Sequence, residues 1–204
     1  MSFALERNQR NSDLKTETLT EKSDYDLPMS LEVGGKEFSI NTDFRDILVI
    51  FSVFDDDSLS DNEKSWYCLY LLYKTDDIYE LGDLEEAAEK ARWFLDWGKS
   101  YKNEEKRPKI LDWKKDYNNI ISAVNQQIKT VDDVRDLPYL HWWTFLGYFS
   151  ERSEKCHLST VLKIREKLAK GTKLEKWEMQ TLRENREEIV IDNDEDFEEE
   201  LWGD

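Results

Sequence analysis

Two histidines and two cysteines are the scarcest chemically versatile side chains in this 204-residue sequence, and their spacing limits what they can do. Cys156 and His157 are adjacent. Neighbours along a helix point in different directions, and no other His or close Cys pair completes a metal shell, so neither metal binding nor Cys–His catalysis is expected there. His141 lies within LHWWTF, where an imidazole packed into a helix interface is the ordinary outcome. Cys68 and Cys156 are too few and too far apart for a disulfide framework or a four-ligand zinc site. The stretch from Asp55 to Glu63 has the carboxylate density of a calcium loop. However, Ser60 stands where an EF-hand needs Gly and Trp66 where it needs Glu, so a solvated interhelical loop is expected. Gly34-Gly35 lacks the longer glycine spacing and the Lys-Ser/Thr ending of a phosphate loop. No serine nucleophile elbow occurs, and spacing selects no pair among the many carboxylates. The sequence gives an enzyme no anchor, and no cofactor is expected.

The aromatic load is the more unusual feature: 13% of residues, with eight tryptophans. Trp93, Phe94 and Trp97 cluster before Gly98, and Trp142, Trp143, Phe145, Tyr148 and Phe149 cluster after Pro138. They cover more than one helical face. Either the second segment is buried nearly all round, or it lends a face to a partner. Residues 191–204 raise a parallel choice. Phe197, Leu201 and Trp202 sit among eight acids with no base. The segment is either a solubilising end, a short motif for a basic-rimmed groove, or an acidic arm shielding a basic surface.

The elements that must position these residues follow from periodicity. Leu31 and Val33 alternate with polar neighbours, Gly34-Gly35 suits a tight turn, and Phe38 and Ile40 alternate on the return, which predicts a short β-hairpin. Asn41 or Thr42 is expected to cap a helix with buried Phe44, Ile47, Leu48 and Phe51. Ser60 and Glu63 form a capping box for a helix through Trp66, Leu69, Tyr70 and Tyr73. Asp83 opens another that Gly98 closes. Further helices are expected at 110–129, after Pro138, at 157–169 and at 174–189. The fold class is therefore mainly α: a single domain of about six to seven helices with an N-terminal β-hairpin. Its expected bounds are 25–189, between a flexible leader at 1–24 and an acidic flexible tail at 190–204.

Charge narrows the partners. Asp and Glu number 46 against 29 Lys and Arg, a net −17, of which −8 belongs to residues 191–204. The lack of a basic stripe argues against nucleic acid, and an acidic surface disfavours anionic membranes. No run of 18 apolar residues is present to span a bilayer. No secretion signal is seen at the start, so a reducing cytoplasm is the default.

LPMSLEVGGKEFSINTDFR at 27–45, DLEEAAEKARWFLDWGK at 83–99, DWKKDYNNIISAVNQQ at 112–127 and DLPYLHWWTFLGYF at 136–149 occur in an order that resembles a family of small proteins of tailed bacteriophages. These are typically encoded near the tail tube gene and regarded as tail assembly chaperones. The resemblance spans roughly residues 25–187. It implies a helical, non-enzymatic protein that binds the tape measure protein, recruits tail tube subunits and often self-associates. It would act in the cytoplasm of the bacterial host and be absent from the mature virion. It also implies packing roles for His141, Trp142 and Trp143, a turn at Gly34 and Gly35, and a strand-to-helix junction fixed by Asn41, Asp43 and Arg45. A minor structural tail protein retained in the virion, or an acidic inhibitor of a host factor, are the alternatives.

Overall fold

The computed structural model describes residues 27–75, 77–99 and 108–191. The expected leader at 1–24 lies outside them, as does the expected tail from 192 onward with Phe197, Leu201 and Trp202. Strands β1 (Ser30–Val33) and β2 (Lys36–Ser39) pair antiparallel with Leu31 opposite Phe38. Gly34 and Gly35 both adopt positive φ, +58° and +74°, which a two-residue turn of this hand requires. The hairpin buries Leu31, Val33 and Phe38.

Helix α1 (Phe44–Phe54) follows, with Phe44, Ile47 and Ile50 buried and Leu48 and Phe51 half-buried. Its cap is Asp43, whose carboxylate accepts from the Arg45 N–H at 3.0 Å, and not the expected Asn41 or Thr42. Those two are engaged elsewhere. Asn41 Nδ2 donates to the Leu71 carbonyl at 2.8 Å, and Thr42 Oγ1 pairs with the Tyr139 hydroxyl at 2.7 Å.

Helix α2 (Asp61–Leu72) starts on the predicted Ser60–Glu63 capping box. Its buried face is Cys68, Leu69 and Leu72, and Tyr73 just beyond it is buried too. Of the four residues through which this helix was expected to run, Leu69 and Tyr73 are buried, whereas Trp66 and Tyr70 are exposed. WYCLYLLY is apolar nearly all round the helix, so periodicity had no polar face to orient it. After a 3-10 turn at Ile78–Leu81 comes α3 (Leu84–Leu95), capped by Asp83 and burying Ala87, Ala91, Phe94 and Leu95. The hairpin tip meets it where the Gly34 N–H donates to Glu86 Oε2 at 2.8 Å.

Helix α4 (Tyr117–Asn125) is shorter than the predicted 110–129. The Asp112 carboxylate accepts the N–H groups of Lys114 and Lys115 and closes a turn first. A side chain bonded to nearby backbone in this way competes with helix. Helix α5 (Trp142–Ser150) and α6 (His157–Ala169) lie close to expectation. The predicted helix at 174–189 is two, α7 (Lys176–Glu184) and α8 (Arg186–Ile189), parted at Asn185, whose side chain donates to the Thr181 carbonyl. The molecule is thus mainly helical with one N-terminal hairpin.

Two apolar clusters hold these elements. The larger draws on the hairpin and on α1 to α6, and the smaller consists of Val161, Ile164, Leu174, Leu182 and Ile189. Helix α6 serves both, giving Leu158 and Leu162 to the first and Val161 and Ile164 to the second.

Candidate functional site

The tryptophans singled out by sequence converge on the C-terminal end of α3. The last carbonyls of a helix have no intrahelical partner. Here Trp143 Nε1 donates to the Phe94 carbonyl at 2.8 Å and Trp142 Nε1 to the Leu95 carbonyl at 3.0 Å. Trp142 is fully buried, between Phe51, Trp113 and Phe145. Trp93 meets Trp143 edge to face at 5.2 Å. Tyr148 and Phe149 are half-buried against the same core, and Arg152 lies over the Phe149 ring at 4.5 Å. From Trp142 to Phe149 every position of α5 is buried or half-buried, so the helix is central. Trp97 stands apart. It is exposed, with φ +58°, in the left-handed turn that it forms with Gly98 (φ +74°). Gly98 is needed for space as well as for φ: a Cβ there would sit 3.0 Å from the Trp143 ring.

His141 is the N-cap of α5. Its Nδ1 accepts from the Trp143 N–H at 3.0 Å, which leaves the ring proton on Nε2 to donate to the Pro28 carbonyl at 3.0 Å. Burial pulls its pKa below the ordinary imidazole value despite the bond to Pro28. The ring is neutral and serves as a cap. Asp43 and His141 also pair through their backbones, with Phe44 N–H donating to Leu140 (3.0 Å) and Trp142 N–H to Thr42 (2.7 Å). The Arg45 guanidinium bonds Asp43 at 2.7 Å and donates to the carbonyls of Leu137 and Pro138, at 3.1 Å each. Burial would raise the Asp43 carboxyl, but bonds from Arg45 and the Leu140 N–H outweigh it and hold the group below its usual value. Asp43 and Arg45 thus join α1 to the segment that leads into α5, while Asn41 ties the end of the hairpin to α2.

Cys156 caps α6, and His157 Nε2 meets Glu188 Oε1 at 2.7 Å, tying α6 to α8. The Cys68 thiol is buried, which pushes it up to about 12. Among the described residues no group of three or more His, Cys, Asp or Glu could hold a metal ion, and no helix is long and apolar enough to cross a membrane.

Sequence reasoning missed two features. The first is a surface. An apolar groove of about 290 Å³ opens where Phe51 and Phe54 of α1, Ser65, Cys68 and Leu69 of α2 and Ala88, Ala91 and Leu95 of α3 meet. Beside it α2 exposes Trp66 (42%), Tyr67 (40%) and Tyr70 (47%). Trp66 and Tyr70 stack at 5.2 Å, 9° from parallel, and Trp66 is a helical neighbour of Leu69, so ridge and groove adjoin. The second is a buried cross-link. Arg165, 4% exposed, spends all five of its donors. Two go to Asp116 (2.6 and 2.9 Å), and the others to the carbonyls of Ile110, Glu188 and Ile189. Nearby, buried Glu178 accepts from Lys167 Nζ at 2.6 Å and from the Glu175 N–H at 2.8 Å. Burial would raise the Glu178 carboxyl, but Lys167 and these bonds prevail and hold it low.

The family model described as bacteriophage Gp15 protein matches residues 24–188. The chain belongs to that family and is a phage protein. No curated protein and no solved structure matches it.

Proposed function

We propose that this phage protein is a non-enzymatic tail assembly chaperone that covers apolar surface of the tape measure protein and recruits tail tube subunits. It would act in the host cytoplasm and leave before the virion is complete. The observation that carries this is the exposed aromatic ridge of Trp66, Tyr67 and Tyr70 beside an open apolar groove. An exposed cluster of this kind marks a protein-binding surface. The acidic chain around it, net −17, would keep a complex with an aggregation-prone partner in solution. A long helical tape measure protein is such a partner, and many weak contacts along it suit displacement by the growing tube better than one tight contact. The tryptophans at the end of α3 serve packing in this reading.

Co-expression with the tape measure and tail tube proteins of the same phage tests the proposal. The tape measure protein is expected to become soluble and to co-purify. A tape measure protein that stays insoluble and unbound overturns it, as does this chain at stoichiometric level in purified virions.

A further inference from the structure

The groove and ridge lie in the most acidic part of the body. Residues 44–96 hold 14 acidic and five basic side chains, a net −9, whereas residues 97–190 are net +4. Helical spacing sets Glu85, Glu89 and Asp96 along the flank of α3 that includes the groove residues Ala88 and Arg92. Arg92 pairs with Asp96 at 3.8 Å. On α2 the same spacing sets Glu63 on the ridge face with Tyr67 and Tyr70. The groove therefore has an apolar floor and a rim that carries surplus negative charge. Its α3 wall runs from Ala88 to Asp96, about 12 Å at helical rise, long enough for apolar anchors at i, i+4 and i+7 of a docked helix.

We propose that this groove and ridge receive an amphipathic helix whose apolar stripe is flanked by lysine or arginine. The inference rests on the chaperone reading and narrows it to a partner chemistry. Two competing occupants fit less well. The chain's own residues 191–204 bring eight acids and no base to an acidic rim. A second copy would offer exposed Trp177, with Lys163 over its ring at 5.4 Å. However, the ridge exposes on the order of 300 Å² of aromatic surface, short of the roughly 800 Å² per partner of a stable dimer.

The probe is a fluorescein-labelled synthetic helix of roughly 18 residues, with Leu and Phe at i, i+4, i+7 and i+11 and Lys elsewhere, titrated with the full chain by anisotropy. Two control peptides accompany it: one with Glu for Lys, and one with the same composition permuted to scatter the apolar residues. The Lys helix is expected to bind, and both controls at least about tenfold more weakly. Ala88→Phe, which fills the groove from an exposed position, and the double variant Trp66→Ala/Tyr70→Ala are each expected to weaken binding about tenfold or more. Because the double variant alters only exposed rings, it carries the test should Ala88→Phe fail to fold.

Equal binding of the permuted peptide, or unchanged binding by both variants, overturns the proposal. So does a tenfold gain on deleting residues 192–204, since the occupant is then the chain's own tail. Self-association abolished equally by Ala88→Phe and Trp177→Ala also overturns it, by naming a second copy. Tape measure solubilisation that survives both groove and ridge variants sinks this inference alone. Peptide binding that obeys the expectations while the tape measure protein stays unbound sinks the chaperone reading alone.

Discussion

The helices α1 to α3 and the helices α6 to α8 treat charge and apolar surface in opposite ways. The first set carries the −9 of residues 44–96 mostly on its outside and leaves Trp66, Tyr67, Tyr70 and Phe54 in contact with solvent. The second has a core of only five buried apolar residues, yet it takes charged groups inside: Arg165 against Asp116, and Glu178 under Lys167. One region buries Phe44, Tyr73 and Phe94 but leaves four other aromatic rings at the surface. The other uses ion pairs where apolar contacts are few. In the proposed reading the uncovered rings are where a partner docks, whereas the buried ion pairs tie elements together inside the fold.

The strongest way to break this contrast is Arg165→Leu. It strands Asp116 without its charge partner and leaves three backbone carbonyls without their donor. A loss of about 3–5 kcal/mol is expected in urea unfolding, because an unpaired buried charge costs far more than the pair itself contributes. The double variant Arg165→Met/Asp116→Leu should recover much of that loss. If it does not, the carbonyl bonds matter more than the charge pairing. Gly98→Ala comes next, at about 1–3 kcal/mol, since the new methyl presses on Trp143 in a backbone region that disfavours side chains.

Acid should separate the α5 junction from the α6–α8 region. Folded His141 has a lowered pKa, so below its ordinary value of 6.5 the unfolded chain takes up a proton that the folded chain refuses. Stability is then full above that pH and falls as pH drops through it, by at most about 1.4 kcal/mol per pH unit for one proton. Glu178 has a lowered carboxyl pKa, so its contribution is present above its ordinary 4.5 and is lost as pH falls below that value. The stability loss that His141 causes should therefore begin at milder acidity than the loss that Glu178 causes, read as the urea midpoint against pH. His141→Asn, which keeps a capping side chain without the titration, should remove the upper step. The smallest effect is expected for Trp66→Ala. Removing an exposed ring should move the melting midpoint by less than the equivalent of about 1 kcal/mol, while partner binding falls sharply. A large stability loss would mean that the ridge belongs to the fold.

Much of the fold was legible in the sequence, for identifiable reasons. Gly34-Gly35 between two alternating runs can do little but turn, and the Ser60–Glu63 box marks a helix start by itself. The face of α2 was not legible, because Trp66 and Tyr70 look as apolar as Leu69 and Leu72 once polar residues are missing from the run. The residue pattern alone does not select Asp43 as the cap of α1, because Asn41 and Thr42 are cap types too, and only the family resemblance includes Asp43 in this junction. Only their tertiary partners, Leu71 and Tyr139, decide against them. The cross-link of Arg165 to Asp116 spans 49 positions and leaves no local signature. The groove is an absence shared by three helices, and nothing in one helix announces it.

The backbone pairing of Asp43 with His141 has a consequence for how the chain is made. The Phe44 N–H at the start of α1 finds its carbonyl partner at Leu140, and the Leu95 carbonyl at the end of α3 finds its donor at Trp142. During synthesis, then, the hairpin and first three helices emerge from the ribosome before the segment that locks them exists. Until LHWW is made, the hairpin and α1 to α3 have only the contacts they make among themselves.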